Sequence, residues 1–199
     1  DRLWVVFGYS LAFVGDGRFL GSLDRAMLIG MMPDSVNSGA KTIPEALFML
    51  YQMTFAVITV ALVAGAVADR MRFSAYLLFS IGWFVIVYMP LAHWVWGGGF
   101  LGEAGVLDFA GGLVVHLSAG IAGLVAALVL GKRRGYGEEN LAPFDLSLAV
   151  IGTGMLWVGW FGFNGGSALS ASPRAVMAII ATHLAASSGA LVWGGIEWS

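Results

Sequence analysis

An all-α, polytopic membrane helix bundle is the fold class this sequence predicts, on three observations. The 199 residues are 59% hydrophobic and only 11% charged, with a mean hydropathy of +0.85. A water-soluble chain of this size has no interior large enough to hide so much apolar surface, so the solvent is lipid. The apolar residues form long continuous runs rather than the short alternating segments of a membrane barrel, and 29 glycines with 8 tryptophans suit close-packed helices with aromatic belts. There is no cysteine, which excludes disulfides and thiolate metal sites.

The elements follow in chain order. Residues 3–14 (LWVVFGYSLAFV) are too few for a full crossing and read as the outer part of a helix cut short. No signal peptide is visible, and the start and the end both read as truncations. A polar stretch, 15–44, holds Arg18, Arg25 and Lys41 and predicts a loop with a short interfacial helix over 26–31. Pro44-Glu45 opens the first complete span, 46–68, which Asp69-Arg70-Met71-Arg72 stops. A second span, 73–92, ends at an aromatic interface, His93-Trp94-Val95-Trp96, and a glycine-rich loop follows to Leu107. The third span, 109–130, is free of acids and bases except for His116, and Lys132-Arg133-Arg134 closes it. Spans over 146–164 and 175–193 complete the chain as one domain without a linker. Short loops rich in Lys and Arg stay in the cytoplasm, so Arg70, Arg72 and 132–134 face inward with Asp1 and Arg2, and the 15–44 loop faces outward.

His116 is the first residue with chemistry to offer. Every fourth residue on a helix shares a face, so Asp108, Gly112, His116 and Gly120 are expected on one stripe with Gly123 close by. The glycines leave either room for a neighbouring backbone or an open space. A charged group at mid-membrane costs on the order of 2.5–3.5 kcal/mol, whereas a neutral imidazole needs only a donor and an acceptor satisfied. Asp108 reads as a cap for the helix start rather than as a direct cation ligand. Gln52, Phe55 and Thr59 share one face of the first full span, and Trp160, Phe163 and Ser167 share one on the fourth. Such stripes are ordinarily packing or belt residues; converging at an outer mouth with Trp96, they would suit a small cation held over ring faces. His93 reads as a solvated belt residue, His183 as facing another helix, and Gly162 with Gly166 as a packing pair. Gly97-Gly98-Gly99-Phe100-Leu101-Gly102 matches a nucleotide-loop pattern by letter, but it follows a membrane helix and not a strand. No catalytic triad or metal-ligand spacing stands out, so the sequence implies no enzyme, cofactor, metal or nucleic-acid partner.

Several of these motifs resemble the ammonium transporter (Amt) branch of the Amt/Rh/methylammonium permease family. They are GYSLAF at 8–13, GSLD at 21–24, TFAVITVALVAGAVADRMRFSAYLLF at 54–79, AHWVWGGG at 92–99, LDFAGGLVVH at 107–116 and GWFGFNGGSA at 159–168. The resemblance implies a multi-pass protein of the cell membrane that takes up ammonium or ammonia as a homotrimer with a pore through each subunit. It implies that Trp96, Ser167, Phe55 and Phe163 form the outer recruitment site, and that Phe55 and Phe163 also gate the pore. By the same resemblance His116 is a pore histidine, Asp108 supports the site structurally, and Gln52 and Trp160 lie beside a proton or water path. A PII-type regulatory protein is an implied partner, at the cytoplasmic face where 70–72 and 132–134 lie, though the basic loops alone read as topology signals. The family's second pore histidine belongs to a later helix, so the chain is expected to cover roughly the second to seventh spans. Two related readings are an ammonium-sensing Amt-like module fused to a signalling domain and an Rh-type gas channel; Trp96 and the GWFGFN stretch favour the Amt branch.

Overall fold

The computed structural model describes residues 2–142 and 144–199; Asp1 and Pro143 lie outside the described residues. The chain divides into two compact units, Asp1–Leu141 and Ala142–Ser199. Among the described residues, five helices are long and apolar enough to cross a membrane: Glu45–Val67, Phe73–Glu103, Gly112–Leu130, Leu146–Gly166 and Pro173–Trp198.

The larger unit begins with a π turn, Trp4–Gly8, that runs into α1, Tyr9–Phe13. Where a short helix was expected over 26–31, the polar loop makes only one 3₁₀ turn, Ala26–Leu28. α2 is Glu45–Val67, with Pro44 at its N-cap supplying the fixed φ of an entering chain. α3, Phe73–Trp83, passes through a second π turn, Phe84–Tyr88, into α4, Met89–Trp96. Pro90, which has no N–H to give to the turn before it, stands just after that widening. The helix therefore carries His93 and Trp96 inside its last turns, beyond the expected end at residue 92. A four-residue helix, α5, Phe100–Glu103, leads to a third π segment, Gly112–Leu117, which continues as α6, Ser118–Leu130.

Two of the π turns face each other. The Trp4 ring lies 6.4 Å from both Phe84 and Tyr88, and a Cβ on Gly8 would come within 2.9 Å of the Phe84 ring, so glycine is what permits the approach. Trp4 is 1% exposed and donates its indole N–H to the Met49 carbonyl of α2 at 3.2 Å. A polar knot sits above this aromatic core. Tyr9 donates its hydroxyl to Glu45 Oε1 at 3.1 Å, Arg25 Nε donates to the same oxygen at 3.2 Å, and Asn37 donates to the Tyr9 oxygen and the Phe13 carbonyl. The loop and the start of α2 are thereby tied together by a carboxylate that is 3% exposed. A buried charge of this kind is tolerated only with such partners.

α2 lies along α6, where Gly123 leaves space for the Ala66 methyl. At the far end Arg70 Nη1 donates to the Ala127 carbonyl at 3.3 Å and the Gly131 carbonyl at 2.7 Å, and Arg133 pairs with Asp69.

The smaller unit is a helical hairpin. α7, Leu146–Gly166, is capped by Asp145, whose carboxylate accepts from the Leu148 N–H at 2.9 Å. α8, Pro173–Trp198, starts with Pro at its first turn. The close approach between them is at Gly165, where a Cβ would meet Ile179 at 2.8 Å; Gly162, one of the two glycines expected to pack, has nothing within 4 Å. Asn164 donates to Thr182 Oγ1 at 2.8 Å, and His183 stands 5.8 Å from the rings of Trp157 and Phe161, facing α7 as expected. Large apolar side chains point away from both units: Leu78, Ile86 and Val129 on one, Val158 and Leu191 on the other, each more than two-thirds exposed. Surfaces so apolar need a hydrocarbon neighbour.

Candidate functional site

The site in the larger unit is built on Asp108. The chain arrives there non-helically, and Gly111, at φ 97°, turns it into the π segment. Only a residue without a Cβ takes that conformation readily, and a Cβ here would also lie 2.6 Å from the Val115 side chain. The turn aims four consecutive backbone N–H groups at one carboxylate. Oδ1 accepts from Gly111 at 2.7 Å and Gly112 at 2.8 Å; Oδ2 accepts from Leu113 at 2.9 Å and Val114 at 2.8 Å. The four N–H groups that any helix start leaves without partners are thus all satisfied by a single side chain. The cap expected of Asp108 is present, and it occupies both carboxylate oxygens.

The same residue holds the aromatic pair through its backbone. The Asp108 carbonyl accepts the Trp96 indole N–H at 2.8 Å, and the Trp96 ring meets Phe55 edge-on, centroids 5.5 Å apart at 79°. Phe55 is 2% exposed and packs at 5.1 Å against Tyr51 on its other side. One turn away Thr59 donates to the Phe55 carbonyl. Gln52, one turn the other way, is buried with its side-chain carbonyl oxygen unpartnered. The fold therefore brings Gln52, Phe55, Trp96 and Asp108 into one neighbourhood. What that neighbourhood offers is ring surface and amide oxygen, the chemistry of a small cation that donates hydrogen bonds.

The stripe expected around His116 is different in the structure. Asp108 stands outside the helix, and the π segment shifts the register, so spacing by four no longer defines a face there. Gly123 packs against α2, on another side. Gly112, His116 and Gly120 are the exposed members, and a Cβ on Gly120 would meet nothing within 4 Å. The imidazole is thus on the exposed side of its own unit.

Three predicted residues fall on α7, in the smaller unit. Trp160 and Phe163 stack at 4.9 Å with 28° between planes, and Ser167 donates its hydroxyl hydrogen to the Phe163 carbonyl at 2.9 Å. With its hydrogen committed, the Ser167 oxygen presents lone pairs only.

Sequence reasoning missed two buried groups. His93, expected in a wet belt, is fully buried, because α4 extends past it and the loop folds over it. Glu45 was read only as a helix start. A signal for the first existed in the glycines at 97 and 99, which allow a backbone to close over a nearby ring; nothing in the sequence marked the second.

These elements define a class: a multi-pass helical membrane protein with an aromatic cluster at one helix end and a histidine set among glycines. The model of the Ammonium Transporter Family matches residues 2–199. The chain is 50% identical over 196 residues to an ammonium transporter of Bacillus subtilis, covering 98% of this chain and 48% of that one. It is 44% identical over 197 residues to the ammonium transporter Amt1 of Archaeoglobus fulgidus, again covering 98% and 48%. Among solved structures, Mep2 of Candida albicans superposes with a TM-score of 0.87 at 41% identity, covering 99% of this chain and 44% of that one. A structure described as Sensor Amt Protein superposes at 0.81 with 30% identity, covering 96% and 48%. The chain belongs to the Ammonium Transporter Family, and it spans about half the length of the curated relatives it matches.

Proposed function

We propose that the whole protein moves ammonium across the cell membrane as ammonia, recruiting the cation at an outer aromatic mouth and releasing its proton to water on the route beside Gln52 and Trp160. The observation that carries the reading is the fixed Asp108–Trp96–Phe55 cluster, in which the carboxylate is consumed by backbone N–H groups while an indole face is held in place. Trp96, Phe55, Phe163 and the acceptor oxygen of Ser167 hold ammonium, with Phe55 and Phe163 as the gate. A bare cation in an apolar lumen is prohibitively costly. Releasing a proton makes the travelling species neutral, and potassium, of similar size, has no proton to release. His116 then hydrogen-bonds ammonia along the pore, with Gln52 and Trp160 beside a route for water or the proton. The greater identity to the Bacillus transporter than to the Sensor Amt Protein supports transport over sensing.

The working unit on this reading is a homotrimer, and a PII-type protein is the partner at the face carrying 70–72 and 132–134. The test is uptake of ¹⁵N-ammonium by transporter-deficient cells expressing the whole protein. Wild type should restore uptake without admitting potassium, and His116→Ala should lower uptake or admit potassium. Unchanged uptake with unchanged exclusion in that variant would remove His116 from the mechanism. Absence of uptake in wild type would remove the function.

A further inference from the structure

The larger unit carries a groove that the transport reading does not use. α3 and α6 both pack against α2, and the space between them stays open as a groove of about 780 Å³. Its shape follows from the sequence. Ser118, Ala122 and Ala126 recur every four residues along α6, so small side chains form the floor. Leu117, Ile121 and Val125, each one residue earlier, stand half-exposed along one edge, and Phe79, Trp83 and Val87 make the opposite wall. The lining runs from Leu113 to Leu130, roughly 25 Å of helix, which is most of the thickness of a hydrocarbon core.

The floor asks for an apolar guest. Ser118 gives its hydroxyl hydrogen to the Val114 carbonyl at 2.6 Å, so it offers the groove no hydrogen-bond donor. The inner end is what sets this groove apart from an ordinary lipid-facing surface. Met71 and Leu130 line it there, with Arg72 next to the first and Lys132 two residues after the second. Arg70 is committed to the Ala127 and Gly131 carbonyls, and Arg133 to Asp69. Arg72, Lys132 and Arg134 are exposed and make no ion pair among the described residues; Lys132 Nζ lies 5.4 Å from the centroid of the Tyr136 ring. An apolar slot that ends at unpaired cations is complementary to a molecule with a hydrocarbon tail and an anionic head.

We propose that this groove seats one anionic phospholipid of the inner leaflet, with an acyl chain lying over Ala122 and Ala126 and its phosphate held by Arg72 and Lys132. Basic side chains at the cytoplasmic end of a cleft between membrane helices suit such a headgroup. A zwitterionic lipid fits the same slot, but it brings an ammonium group to the same cations, so the site selects by charge. The acyl chain supplies α3 and α6 with the packing partner that neither gives the other. The inference does not depend on what the protein carries across the membrane.

The test uses the whole protein in nanodiscs, with phosphatidylglycerol or phosphatidylcholine bearing a photoreactive group on an acyl chain and the adducts mapped by mass spectrometry. Phosphatidylglycerol should label Phe79, Ala122 and Ala126 in preference to phosphatidylcholine. Arg72→Gln combined with Lys132→Gln should weaken that preference about 30-fold, the weight of two basic side chains at a lipid surface. Ala126→Phe, which fills the floor and leaves every charge in place, should remove the groove adducts of both lipids. Equal labelling by the two lipids in wild type, a preference that survives loss of both cations, or adducts unchanged in Ala126→Phe would each overturn the proposal. So would a groove that takes no label from either lipid, because another part of the protein or a second subunit then covers it.

Discussion

The two ends of the His116-bearing helix are both capped by a charged side chain, and they are capped in opposite ways. At the start, Asp108 stands three residues before a left-handed glycine and accepts four backbone N–H groups through both oxygens. At the finish, Arg70 reaches across from the end of α2 and donates to two carbonyls, Ala127 and Gly131, at a surface where Arg133 and Asp69 also pair. Each follows the helix dipole, anion at the start and cation at the finish. The first cap is local, short-reaching and geometrically complete. The second uses a long side chain at a partly exposed position, where water competes for every carbonyl. The difference teaches where order is concentrated: the end that carries the aromatic cluster is specified by backbone geometry, the other by replaceable charge.

Asp108→Asn should separate the two ends most sharply. The amide nitrogen would point N–H groups at two backbone donors, leaving both without an acceptor. At roughly 1–3 kcal/mol for each donor so abandoned, the variant should lose about 2–6 kcal/mol, and the Trp96 anchor should shift with it. Thermal unfolding of the whole protein and the fluorescence of Trp96 check this; stability and spectrum like those of wild type would mean the four short contacts contribute little. Gly111→Ala comes next. It forces φ 97° on a residue with a Cβ and presses that atom to 2.6 Å from Val115 Cγ2, for an expected loss of about 1–3 kcal/mol. A substitution that leaves uptake and stability unchanged would show that the turn relaxes cheaply.

The same contrast explains what was legible in the sequence. The all-α membrane class and the order of the spans could be read because long apolar runs have one solution in lipid. Asp108 could be read as a cap because the acid stands just before an apolar run. A link to the loop at Trp96 and an outer mouth shared with Phe55 could be raised from the residues, but their assignment to one site came through the family resemblance, since periodicity says nothing of which helices meet. The π turns were illegible: a one-residue widening leaves no mark in composition, yet it moved Asp108 off the face assigned to it and altered the register through His116. His93 was misread for a related reason. A histidine beside tryptophans looks like a belt residue until a loop from elsewhere in the chain covers it, and only the glycines at 97 and 99 hinted that a backbone comes that close. Gly165 rather than Gly162 made the α7–α8 contact because helix rotation, not letter spacing, decides which small residue faces the partner.

The smallest effect should come from the finish of the helix. Arg70→Ala removes two hydrogen bonds from a guanidinium to carbonyls, and on bond counting alone it would rival half of the Asp108 cap. The carbonyls of Ala127 and Gly131 are at a helix end, however, and once the guanidinium leaves they take water instead, so no buried group is abandoned. Lys132 and Arg134 also stand nearby in sequence and keep positive charge at that end of the dipole. The expected loss is therefore about 0.5–1 kcal/mol, diminishing as salt is raised, with uptake unaffected. Melting of Arg70→Ala at low and high ionic strength provides the check. A loss as large as that of Asp108→Asn, and insensitive to salt, would show that this end is specified as tightly as the other and would erase the distinction between them.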